Sequence, residues 1–159
     1  MNSTENTLIG ISQELIQFQL DLSYNYTLNA PEIIVCLNGI SKFNKPLTGT
    51  SCLIKFNHVL DFNQTYCLEI QRTGKTDQDP IQMLVIDSLL IDGVNVQNLI
   101  WSNSYYKPDY PTLWYSQQVA QGVTPEVQVP AEVYLGHNGT WRLNFTSPFW
   151  QHLLDQMDS

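Results

Sequence analysis

Residues 16–24 read Ile-Gln-Phe-Gln-Leu-Asp-Leu-Ser-Tyr, with Ile16, Phe18, Leu20, Leu22 and Tyr24 alternating against Gln17, Gln19, Asp21 and Ser23. A period of two is the signature of a strand that buries one face and wets the other, and nine residues of it are too regular for a helix. The same alternation returns at 51–58, where Cys52, Ile54 and Phe56 oppose Leu53, Lys55 and Asn57. It returns again at 65–72, where Tyr66, Leu68 and Ile70 oppose Cys67, Glu69 and Gln71. Glu32–Leu37 is β-branched and apolar and runs into Asn38-Gly39, a pair that tolerates the positive φ angles of a two-residue hairpin turn.

Further strands are predicted over 81–91 and 94–101, paired through the turn signal Asp92-Gly93, and over 127–135 and 140–145, joined as a third hairpin through Gly136–Gly139. Between Arg72 and Pro80, Gly, Asp and Pro interrupt pairing and predict a surface loop. Ser102–Ser116 holds Pro108 and Pro111, which cannot donate to a ladder, so a wandering aromatic loop is expected there. At the end, Ser147 can cap a helix with Pro148 in its first position, while Phe149, Trp150, Leu153, Leu154 and Met157 recur at helical spacing. The expected fold is all-β: an antiparallel, jelly-roll-like β-sandwich with one short C-terminal helix. Residues 1–12 are read as a flexible arm and 13–159 as a single domain, the common outcome for a chain of 159 residues.

Charge narrows the partners. Seven Lys and Arg against 15 Asp and Glu leave a formal net charge of −8, and the cations are scattered, which disfavours a phosphate backbone as a direct partner. Only 14% of residues are charged, a surface suited to contact with neighbours. The start, MNSTENTLIGISQ, has neither the basic opening nor the apolar run of a secretory signal, and no stretch approaches a membrane span, so the expectation is a chain made in a cytoplasm and not inserted in a bilayer. Cys36, Cys52 and Cys67 lack the CxxC spacing of metal or redox sites and are expected to be reduced core residues.

No nucleophile elbow, phosphate-binding glycine loop or zinc-ligand pair occurs, and His58, His137 and His152 sit in three unrelated contexts, so no enzyme and no cofactor are expected. Asp77 and Asp79 lie two apart in the loop, where hard oxygen ligands for calcium can gather, although such pairs are more often solvated turn residues. Trp101, Tyr105, Tyr106, Tyr110, Trp114 and Tyr115 put six aromatics into fifteen residues. Such rings either stack on sugars or fill a partner's pockets, each pairing an apolar face with a polar tip, or they fold over an open end of the sandwich as core.

The run YYKPDYPTLW at 105–114 and LGHNGTWRLNFTSPFWQHLL at 135–154, together with Asn38-Gly39 and the Ile91–Gly93 element in this order, resemble small conserved proteins of tailed bacteriophages of cyanobacteria and other marine bacteria. The likeness spans residues 15–155. It implies a structural component of the virion in the tail, baseplate, fibre or capsid decoration, with a sandwich like those of carbohydrate-binding modules. It also implies docking on other virion proteins, as a homo-oligomer or as copies that follow the particle's symmetry. A module that recognises host surface glycans through the six aromatics is the alternative.

Overall fold

In the computed structural model, the described residues are Thr7–Leu8 and 12–157. The arm expected over 1–12 therefore lies almost wholly outside them. Along the chain come β1 (Thr7–Leu8), β2 (Gln13–Asn25), β3 (Glu32–Leu37), β4 (Ile40–Phe43), β5 (Ser51–Asp61), β6 (Thr65–Thr73), β7 (Met83–Ile91) and β8 (Val94–Asn95). Helix α1 (Gln97–Asn103) leads to β9 (Ser104–Pro108), helix α2 (Thr112–Ala120), β10 (Val129–Pro130), β11 (Tyr134–Leu135), β12 (Gly139–Thr146) and helix α3 (Phe149–Met157).

The strands make two antiparallel sheets. In the first, β2 is central: β5 covers one edge opposite residues 13–23, while β7 and β1 share the other, and β11 and β8 pair with β7. The second runs β10-β9-β12-β6-β3-β4. The expected sandwich is thus observed. Its core forms because alternation points one row of each strand inward: Ile16, Phe18, Leu20, Leu22 and Tyr24 from β2 meet Leu68, Ile70, Trp141, Leu143 and Phe145 from β6 and β12, all buried. Phe18 and Phe145 bridge the two sheets with ring centroids 6.0 Å apart. Each such side chain contributes roughly 1.5–3 kcal/mol through burial.

Asn38-Gly39 and Asp92-Gly93 are tight turns with positive φ at both residues, as their chemistry demands. Three expectations are corrected. First, the run after Asp92-Gly93 stays extended only to Asn95; Val96, at the N-cap of α1, and Leu99 and Ile100 within it are buried at helical spacing. Second, 102–116 is no loop. Ser104–Pro108 pairs with β12, Pro108 stands at the strand's end where its missing N–H costs little, and Pro111 leads into α2. Third, Gly136–Gly139 is not a hairpin, because β11 belongs to the first sheet and β12 to the second, so these four residues carry the chain between layers. At α3, Ser147 does not cap directly: its hydroxyl donates to Glu14, and the same carboxylate oxygen accepts from the Phe149 N–H, each at 2.6 Å. The three cysteines are free; Cys36 is buried, and Cys52 and Cys67 are half-buried.

Candidate binding cleft

Beyond β9 the chain leaves the sheet and assembles a ring cluster. Tyr106 points inward and is buried, its hydroxyl donating to the His137 carbonyl. The Asp109 N–H donates to the Asn138 carbonyl at 2.6 Å, which turns Tyr110 outward along the edge. Pro111 then opens α2, and one turn later Trp114 stacks on Tyr110 with centroids 5.2 Å apart and planes 22° apart. The His137 imidazole closes the group, 5.1 Å from Tyr110 and 4.9 Å from Trp114. The Tyr110 hydroxyl donates to the Glu126 carbonyl at 2.7 Å, tying down the segment that follows α2. No side chain of α2 is buried, so this cluster is what seats the helix on the sandwich.

The cluster opens onto a cleft of about 420 Å³, walled by Tyr110, Trp114, Tyr134, Met83 and His137 and carrying the carboxylates of Glu126 and Glu132. Rings present flat apolar faces there, and the two carboxylates add acceptors to the lining. That combination suits a ligand with an apolar face and hydroxyl groups at its rim.

Beneath the cleft lies Arg72, with none of its side chain exposed. Its Nε donates to the Leu135 carbonyl at 3.0 Å, Nη1 to Gln82 Oε1 and Asn138 Oδ1 at 2.9 Å each, and Nη2 to the Gln82 carbonyl at 3.1 Å. All four acceptors are neutral, and desolvation pulls the guanidinium below its ordinary pKa. Asn138 completes the frame, accepting from the Lys75 N–H at 2.9 Å and donating to the Lys75 carbonyl at 3.1 Å, while Lys75 Nζ donates to the Gly136 carbonyl. Burial lowers the His137 pKa, and Lys75 and Arg72 lower it further, so the imidazole in the ring cluster is neutral at pH 7. Burial likewise raises the phenols of Tyr106 and Tyr110, which remain donors.

Of the six aromatics singled out in the sequence, the fold brings Tyr106, Tyr110 and Trp114 to this cleft, with Tyr115 at the edge of Tyr110, 6.1 Å between centroids. Tyr105 pairs across to Arg142, which forms an ion pair with Glu69 at 2.7 Å. Trp101 stands apart on α1, at the rim of a second recess. Sequence reading missed Met83, Glu126, Glu132, Tyr134 and His137; they come from separate segments, and nothing local marks them.

Asp79 is buried, and its two oxygens accept from the backbone N–H groups of Thr27, Leu28 and Asn29 and from the Thr27 hydroxyl, at 2.8–3.4 Å. The bond from Leu28 is the main cause of its lowered pKa, with desolvation opposing. Its lone pairs are therefore spent on holding the 27–29 loop, and Asp77 sits in an exposed turn. Among the described residues no group of three or more His, Cys, Asp or Glu is placed to hold a metal ion.

No family model and no curated protein matches the sequence. Among solved structures, a carbohydrate-binding module, vCBM60 in complex with galactobiose, matches with a TM-score of 0.48 and 9% identity over 82% of this chain and 97% of that one. A selenomethionine form of vCBM60, described among calcium-dependent carbohydrate-binding modules, matches with a TM-score of 0.48 and 9% identity over 80% and 89%.

Proposed function

We propose that the chain is a non-enzymatic binding module whose aromatic cleft holds a neutral carbohydrate. The observation that carries this reading is the stacked, near-parallel Tyr110–Trp114 pair at an open cleft whose charged lining is Glu126 and Glu132. The C–H face of a pyranose stacks on such rings, and its hydroxyls donate to carboxylates. Two carboxylates without a cation on the lining disfavour anionic ligands. The test is a screen of neutral and acidic glycans on an array, followed by calorimetry. Binding of neutral glycans that weakens at least about tenfold in Trp114→Ala, the effect of losing one good ring contact, supports the reading. A folded wild-type chain that retains no glycan on the array overturns it.

A second reading has one observation in its favour. Leu113, Val119 and Val127 are exposed on and beside α2, which is apolar surface of the kind a neighbouring protein covers. As a virion component the chain would dock there on other phage proteins. Mass spectrometry of purified particles is the check, and absence from them would end this reading.

A further inference from the structure

We infer that the ligand is an extended neutral oligosaccharide, running from the Tyr110–Trp114 cleft across Tyr134 to a second subsite at Trp101. This rests on the carbohydrate reading above and adds the ligand's length and direction. Tyr134 lines both the cleft and a second recess of about 270 Å³ between α1, β7 and the 131–134 segment. In the two-residue strand β11, Leu135 is buried and Tyr134 is 60% exposed, so this ring stands as a shared wall between the two spaces. Trp101, also 60% exposed, lines the second recess as well, although the preceding Leu99 and Ile100 anchor α1 in the core. The indole is thus displayed from a helix whose backbone is anchored.

This recess too has a polar lining. Ser23 donates to Asp87 Oδ1 at 2.9 Å and Ser88 donates to Asp21 Oδ2 at 2.8 Å, which fixes both lining side chains. The second Asp87 oxygen and the Gln97 side-chain amide have no hydrogen bond among the described residues, and both line the recess. Asp87, Glu126 and Glu132 are the charged lining of the whole path, so acidic sugars would be repelled along it. A proline-rich peptide also stacks on aromatic rings, but its imide backbone supplies no N–H donors to three carboxylates, whereas a sugar chain offers hydroxyl donors at every unit.

The experiment is calorimetry on the full chain with linear neutral oligosaccharides of two, four and six units, built from β-linked glucose, xylose or galactose, with a proline-rich decapeptide alongside. Wild-type affinity is expected to rise about tenfold from two to six units, the contribution of one further ring contact. Trp101→Ala should abolish that gain and leave disaccharide affinity unchanged, whereas Trp114→Ala should weaken every length. Trp101→Gln and the unfolding midpoint of both Trp101 variants guard against a loss that is merely structural. Equal affinity for all lengths, or a Trp101→Ala chain that keeps the six-unit gain, overturns the two-subsite path while the carbohydrate reading stands. If no oligosaccharide of any length binds, both fall; binding of the decapeptide alone, lost in Trp101→Ala, replaces both with peptide recognition.

Discussion

Arg72 Nη1 and Asn138 Oδ1 meet at 2.9 Å beneath the aromatic cleft, joining a strand of the second sheet to the turn that carries His137. The guanidinium satisfies four acceptors there and has no carboxylate among them, so its value is geometric rather than that of an ion pair. Arg72→Met should leave buried carbonyls unpaired and cost about 2–4 kcal/mol in urea unfolding. Arg72→Lys should recover little of this, since one ammonium cannot reach four divergent acceptors. A variant as stable as wild type would show that the frame under the cleft is redundant.

Asp79 is a second tie next to this frame, its carbonyl accepting from the Gln82 N–H at 3.1 Å. Asp79→Asn keeps the shape but puts an amide donor where three backbone N–H groups converge, so its urea midpoint at pH 7 should fall below that of wild type. The sign with pH follows from the lowered folded-state pKa: the stability is present above the ordinary value of 3.8 and is lost as pH drops below it. The gap between wild type and variant should therefore close in acid. A gap that persists at pH 2 would mean that packing, not the charge, is what Asp79 supplies.

The sandwich was legible where the information was local. The alternation over 16–24 and the Asn38-Gly39 and Asp92-Gly93 turns depend on near neighbours, and each is found where it was expected. What failed was partner choice at a distance. Gly136–Gly139 has the chemistry of a hairpin, but Tyr134 and Leu135 find their ladder on β7, fifty residues earlier, and the buried Arg72 captures the turn. Val96 fitted an alternating strand until Leu99 and Ile100, at helical spacing, claimed the core. The cleft was half visible: Tyr110 and Trp114 lie one helical turn apart, while His137, Glu126 and Tyr134 join them only through the fold.

Gly139 offers a test of how tightly that turn is held. A Cβ built there would lie 2.4 Å from the Lys107 carbonyl oxygen and 2.8 Å from Pro108 Cα, both backbone atoms that cannot swing away. Gly139→Ala should therefore force β12 and β9 apart at the base of the cleft and cost about 2–3 kcal/mol. Gly49→Ala, where a Cβ meets nothing within 4 Å, has only the backbone penalty of its positive φ, about 1 kcal/mol, and serves as the control. Equal losses for the two would show that the strands give way without strain.

Acid should weaken the fold well before the carboxylates titrate. His58, His137 and His152 all have pKa values lowered from 6.5, with burial the largest cause in each. The unfolded chain therefore takes up protons first as pH falls through 6.5, so stability is full above that value and declines below it. At His137 the cost has a structural address, because an imidazolium would have to form in a part-buried site against the Tyr110 and Trp114 rings, with Lys75 and Arg72 nearby. His137→Phe keeps a ring in place and removes the proton site, so its stability should fall less than that of wild type between pH 7.5 and 5.5. Urea midpoints across that range measure the difference, and the same slope in both proteins would assign the acid sensitivity to His58 and His152 alone.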